Sequence, residues 1–464
     1  MMEMSGSGPG SNGGGPSRGA PQEESSAPTG WRHTFSSLQG NPDFRNLFIG
    51  NIGFFFGMNM MIILRGWLVQ AKWDNAAYLG FIMAAVAIPM LLLSPIAGVV
   101  TDRVDRRKLL LVAQSFLVVV NGFVAVLIIT DVIQFWHLLI VSMMTGAAFA
   151  FNMPGRQALV ATLVPRERLM NAMALSTAMM NVSRIIGPPI GALLITPIGI
   201  GGAYVVATAF YAFSFVATFL LPPMVPEREK TFTFFQDLVG GFSYIRSNSM
   251  LVALMLFATV PMIFAMPYMI LLPVFADRVW DVGQNGFGMM QAAGGVGGLI
   301  GAMIIANMDS YPKKTRLLVG GGLAFAGFLI LFALSPSFYF GLVMIAFVGF
   351  GSMIFMTVNN TSIQLVIPDE MRGRVMSVMM MTFGLMPLGA VPAGVAAESI
   401  GVRPVVAIGG AVCIAVMLVI FFSLSAFRDM DKAVAVGQAE QAKRAAAGPP
   451  RRAGMPAGVS AGQV

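Results

Sequence analysis

The charged stretch GVVTDRVDRRK, which begins at Gly98, combines residue types that make and break ionic contacts. Asp102 places one carboxylate beside three cations, Arg103, Arg106 and Arg107. Such a carboxylate can pair with an arginine or cap a neighbouring helix N-terminus, and Gly98 permits close helix approach. We predict a gating contact that forms in one conformation and breaks in another. The alternative is ordinary basic charge at a membrane surface.

A second pattern, RIIGPPIGALL, lies inside a long apolar run and contains Arg184, Gly187, Pro188, Pro189 and Gly191. Glycine and proline together bend a helix and leave a thin face on which a neighbour can pivot. The single charge is expensive in lipid, so it is a functional-site candidate. Two interpretations stay open: Arg184 faces an aqueous cavity and attracts anionic or oxygen-rich ligands, or it locks neighbouring helices together.

Few other residues suggest chemistry. No Asp or Glu stands near the middle of a span, so the sequence identifies no titratable group for proton coupling. Arg65 is close enough to a span end to snorkel to the interface. The sequence has no Walker loop, no catalytic Ser/His/Asp set, two histidines and one cysteine. We therefore predict a protein that is not an enzyme, without a catalytic residue, metal or cofactor.

The elements that must hold these residues are membrane helices. The 464 residues are 56% hydrophobic and 11% charged, and soluble domains carry about 25% charged residues. Twelve apolar runs have the length of about 20 residues that crosses a bilayer as a helix. The great majority of the 29 lysines and arginines fall on the side of both termini. This bias predicts a multi-pass protein of the inner or plasma membrane with both termini cytoplasmic, and it explains the net charge of +8 without nucleic acid.

The chain repeats itself at an offset of 203 residues, which pairs Pro165 with Pro368 and Gly98 with Gly301. Six helices are thereby duplicated in one orientation, as in parallel repeats. The second copy lacks the aspartate of the charged stretch, since Ile305 stands at that position. The tail from about 429 is predicted to be unstructured after a short helix. The predicted segments are a disordered N-terminal tail (1–40), a first half (41–222), a cytoplasmic linker (223–248), a second half (249–427) and a C-terminal tail (428–464).

These motifs resemble those of the major facilitator superfamily. The charged stretch matches its G-x-x-x-D-R-x-x-R-[RK] signature, and RIIGPPIGALL is similar to the antiporter motif of its exporters, with Ser183 and Ala192 replacing two glycines. The segment FNMPGRQALVATLVPRERL, from Phe151, resembles the enterobactin-exporter and macrolide-efflux branch.

The resemblance implies a monomeric exporter of a bulky, partly apolar small molecule that works by alternating access in contact with membrane lipids, and a proton is a candidate coupling ion. An importer and a non-transporting membrane sensor are the alternatives. By the same resemblance, the first helix of each three-helix unit lines a central cavity. The candidate lining residues are Asn51, Asn59, Asn152, Tyr268, Asn359 and Asn360.

Overall fold

The computed structural model describes residues 38, 41–224, 234–308, 311–424, 427, 430–432 and 434–436. Over these residues it is helical, with no strand. The helices are α1 (Pro42–Trp73), α2 (Ala76–Arg103), α3 (Arg106–Ile129), α4 (Phe135–Leu163), α5 (Arg166–Phe219), α6 (Phe234–Ser247), α7 (Ser249–Phe264), α8 (Tyr268–Val274), α9 (Gly283–Ala306), α10 (Lys314–Ala333), α11 (Phe338–Val366), α12 (Asp369–Thr382), α13 (Met386–Ile400) and α14 (Val402–Ser423).

Short polar residues fix where several helices begin. Asn41 caps α1 by accepting a hydrogen bond from the Phe44 amide at 2.9 Å, and Pro42 occupies the first turn. Asn75 caps α2 and Asn248 caps α7 in the same way. Because apolar runs follow each cap and the connections are short, consecutive helices run antiparallel and form a bundle.

Ten stretches in the described part of the chain are long and apolar enough to span a membrane. The longest of them belongs to α5, where the non-helical backbone of Gly199 (φ 71°, ψ 170°) forms a kink between two helical spans. Helices α12 and α13, joined by a 3₁₀ turn, supply a further span. The prediction of twelve spans in an all-α membrane protein is therefore confirmed.

Each six-helix half contains a tight crossing of two helices, at equivalent positions. A Cβ on Gly146 of α4 would collide with the Val86 carbonyl of α2, and a Cβ on Gly349 of α11 would collide with the Gly294 carbonyl of α9. Gly349 follows Gly146 at the offset of the sequence repeat. Glycine is needed at both crossings because only hydrogen leaves room for the facing backbone. The prediction of two parallel repeats is confirmed by this architecture.

The bundle has two ends, which we call the termini face and the distal face. The termini face carries the start of α1, the α2–α3 connection around Val104 and the end of α14. The distal face carries the α1–α2 connection at Asp74 and the opposite ends of the spans. The predicted N-terminal tail lies outside the described residues, apart from Leu38.

Candidate functional site

Two pairs of helices hold the halves together toward the distal face. Helix α2 packs on α13, where a Cβ on Gly80 would lie 2.7 Å from the Ala390 oxygen and one on Gly394 would lie 2.6 Å from the Ala76 oxygen. The first span of α5 packs on α9 beside Gly288. Small residues let these backbones approach closely.

An ionic cluster joins the same halves at the distal face, and we call it the distal gate. Arg278 follows α8, and its Nε atom lies 2.6 Å from Asp74 Oδ1 at the end of α1. Its Nη1 atom lies 3.1 Å from Glu398 Oε1 near the end of α13. Glu398 also accepts a hydrogen bond from the Ala76 amide, the first residue of α2. The carboxylate therefore satisfies an open helix N-terminus of the opposite half.

Hydrogen bonds donated by uncharged side chains extend the distal gate. Gln70 Nε2 donates to Asp74 Oδ1 at 2.5 Å and to Asp277 Oδ2 of the other half at 2.9 Å. Farther along the face, Thr196 donates to Asn285 at 3.0 Å, again between the halves. The halves are thus closed against each other at the distal face.

The glycines of the antiporter-like motif face α1. A Cβ on Gly187 would lie 2.9 Å from Asn59 Cβ, and one on Gly191 would lie 3.3 Å from Met60 Cα. The predicted thin face is present. Helix α5 continues through Pro188 and Pro189, however, and its non-helical backbone is at Gly199. The helix therefore tolerates the proline pair, because neighbouring helices support the chain there.

Arg184 projects into the space between the halves. Its neighbour Ile185 contacts α9, with Cγ2 3.1 Å from a Cβ on Gly295, and Ile186 is 44% exposed on the lipid-facing side. Helical positions advance by about 100° per residue, so Arg184 points between the faces that contact α1 and α9. Its side chain is exposed in the described structure.

A second arginine, Arg156, is buried within the first half. Its Nε donates to Asn152 at 2.7 Å, its Nη1 to Asn51 and its Nη2 to Ser214 at 2.9 Å. Its guanidinium carbon lies 4.0 Å from the centre of the Phe54 ring. Arg156 is 3% exposed and ties α1, α4 and the second span of α5 together.

The predicted cavity-lining residues separate into two groups. Asn51 and Asn152 direct their amide oxygens to Arg156 rather than to open space. Asn59 donates to the Phe55 carbonyl at 2.8 Å within α1. In the second half, Tyr268 and Asn359 are buried, and Asn360 of α11 is partly exposed.

Arg65 also lies inside the first half, since it is 8% exposed and its Nη2 is 3.5 Å from Thr145 Oγ1. The prediction that it snorkels to the interface is therefore wrong. The hydroxyls of Tyr204 and Tyr211 are buried nearby without a protein partner in the described part of the chain. Buried water is the usual partner of such groups.

Asp105 organises the described part of the charged loop. Asp105 caps α3 through the Arg107 amide at 2.9 Å and accepts from the Met224 amide at 3.1 Å. Arg106 donates to Thr162, and Arg107 Nη2 donates to the Phe219 carbonyl at 2.6 Å. These contacts brace the termini face of the first half.

The other residues of the charged stretch lie at the end of α2. Arg103 is exposed at the end of α2, and the Asp102 side chain lies outside the described part of the structure. No atom lies within 4 Å of a Cβ on Gly98. The close approach predicted at Gly98 is found at Gly146 instead.

Sequence comparison identifies the family. Residues 33–447 match the model for transmembrane secretion effectors. The chain belongs to this family of the major facilitator superfamily. The transporter is 25% identical to the staphyloferrin A transporter of Staphylococcus aureus, over 81% of its own length and 93% of the relative. It is 24% identical to macrolide efflux protein A of Streptococcus pyogenes (74% and 85%) and 22% identical to the enterobactin exporter of Shigella flexneri (74% and 82%).

Solved structures agree on the fold of the transporter. The nucleoside transporter NupG superposes with a TM-score of 0.66 at 12% identity, covering 82% of this chain and 99% of that one. A bacterial homologue of the human lysosomal transporter Spinster gives a TM-score of 0.65 at 13% identity, with coverage of 85% and 98%. The relatives are named as transporters and exporters rather than enzymes, and they favour export over the alternatives.

Proposed function

We propose that this transporter exports bulky small molecules that carry anionic or hydrogen-bond-accepting groups. The observation that carries the proposal is Arg184, an exposed guanidinium on the inter-half face of an apolar helix. A charge in such a low-dielectric cleft concentrates counter-charged solutes. The relatives named for staphyloferrin A, macrolides and enterobactin support a large organic substrate.

The proposed mechanism is alternating access of the two halves. With the termini in the cytoplasm of an inner- or plasma-membrane protein, closure at the distal gate leaves the cavity facing inward, where substrate enters. Arg278 would then release Asp74 and Glu398 as the distal face opens. The small residues at the α2–α13 and α5–α9 interfaces suit a rocking motion of the halves. We propose a monomer, with a proton as the coupling ion.

The test compares one anionic and one neutral substrate in proteoliposomes. We expect Arg184→Gln to lower transport of the anionic substrate by about tenfold or more, because a hydrogen bond to a charged group is lost, and to spare the neutral one. Arg184→Lys should restore transport only partly, since the planar five-donor fork is absent. Equal loss for both substrates together with a lower melting temperature would assign Arg184 to helix packing instead. Counterflow measured in both directions distinguishes export from import.

A further inference from the structure

The segment after α14 packs back onto the second half. Phe427, Met430 and Val434 are 2%, 0% and 1% exposed. Their spacing of three and four residues places them on one helical face. The Phe427 ring lies 5.1 Å from that of Phe257 in α7. The described residues of this segment are helical.

The same segment supplies a helix cap that α10 lacks. The residue at the cap position of α10, Lys313, makes no side-chain cap bond. Asp431 Oδ1 instead accepts hydrogen bonds from the Thr315 amide and the Thr315 hydroxyl, both at 2.8 Å. A carboxylate at this end satisfies an open amide and interacts favourably with the helix dipole.

The first half also has an aspartate that caps its third span, but this aspartate lies in the loop before that span. There Asp105 in the loop caps α3 and also binds the Met224 amide, which follows the last span of that half. Met308 stands at the position of Asp105 in the second copy, at the repeat offset. In each half an aspartate joins the chain after the sixth span to the start of the third span, but in the second half the tail carries that aspartate.

The tail also lines a cavity of about 300 Å³ at the termini face. Val434 forms part of its wall, together with Ala302 at the end of α9 and Ser362 of α11. Ser362 is 1% exposed. We infer that the described tail residues, 427, 430–432 and 434–436, are a clasp, held by three apolar side chains and one capping carboxylate, whose release exposes this cavity to the solution at the termini face.

The experiment measures maleimide labelling of Ser362→Cys in purified transporter that carries Cys413→Ala. We expect slow labelling in the full chain and in a chain ending at residue 437, and fast labelling in a chain ending at residue 426. Asp431→Ala should accelerate labelling about fivefold, as expected for loss of a helix cap, whereas Asp431→Asn keeps an acceptor oxygen and should label slowly.

A matched cysteine separates release of the clasp from general loosening. Ser142→Cys is fully buried in α4 of the first half, and it should stay unlabelled in every variant. The inference is overturned if the chain ending at 426 labels at Ser362→Cys no faster than the chain ending at 437. It is also overturned if Ser142→Cys accelerates in parallel, because unfolding would then explain both.

Discussion

Arg156 and Arg184 are both arginines within membrane helices, yet their surroundings differ. Arg156 is 3% exposed, and each of its three guanidinium nitrogens donates to a polar side chain of the first half. Arg184 is exposed in the inter-half space. Burial and bonding therefore indicate a structural role for Arg156, and the exposure of Arg184 is consistent with the substrate contact that we propose.

We predict that Arg156→Leu lowers the melting temperature in detergent strongly, whereas Arg184→Leu lowers it little. The first substitution strands buried acceptors on Asn51 and Asn152, at a cost of about 1–3 kcal/mol each. Arg156→Lys should fall between wild type and Arg156→Leu because the ammonium lacks the fork geometry. Equal melting temperatures for Arg156→Leu and Arg184→Leu would contradict this division of roles.

The distal gate permits a second test at this scale with a close control. Arg278 bridges the halves, whereas Lys72 pairs with Asp131 inside the first half at 2.5 Å. The two cationic side chains are 29% and 30% exposed. The hydrogen bond from Lys72 lowers the pKa of Asp131, but solvent screens so exposed a pair and it contributes little to stability.

Arg278→Gln should therefore shift the transporter toward the distal-open state, and Lys72→Gln should not. A cysteine at Thr196, whose hydroxyl bonds across the halves to Asn285, reports opening through its rate of thiol labelling. We expect faster labelling with Arg278→Gln and an unchanged rate with Lys72→Gln. The gate assignment fails if the two variants accelerate labelling equally.

At the scale of helices, the glycine crossings decide whether each half can form. Gly146→Ala and Gly349→Ala place a methyl group against a facing backbone carbonyl, which cannot rotate away. We expect both variants to show reduced melting temperature and yield. Gly320→Ala in α10 is the control, because no atom lies within 4 Å of its added Cβ and alanine favours helix by about 0.5–1 kcal/mol. A stable Gly146→Ala protein would show that the helices can separate at this crossing without loss.

Helix ends were harder to predict than helices. Pro154 and Gly155 are residue types that end or weaken most helices. Helix α4 nevertheless continues through Pro154 to Leu163, because packing against neighbouring helices compensates for the missing amide. That continuation places Arg156 in the packed interior of the first half.

For the whole molecule, apolar runs and an internal offset are signals carried along the chain, so twelve spans and two repeats could be predicted. The distal gate could not, because Asp74 and Arg278 are 204 residues apart and each resembles an ordinary charge at a span end. The capping role of the tail could not be predicted from the sequence for a similar reason. Asp431 acts as a cap only once the bundle brings it beside Thr315.

Membrane orientation remains a prediction at this scale, and labelling tests it in the Cys413→Ala background. Lys313→Cys on the termini face should resist an impermeant thiol reagent in intact cells and react after permeabilisation. Val132→Cys, at a residue 54% exposed on the distal face, should react in intact cells. The reverse labelling pattern would contradict the orientation predicted from the positive-inside bias.

The aromatic contact across the distal interface offers an optical consequence. Trp67 of α1 stacks on Phe287 of α9 in the other half, with ring centres 6.1 Å apart. The aromatic rings that contact Trp73 belong to its own half, and so do those that contact Trp280. A protein that keeps Trp67 and replaces the other four of its five tryptophans would therefore change its emission as water reaches that ring. Its fluorescence would follow individual turnovers in real time without an attached dye.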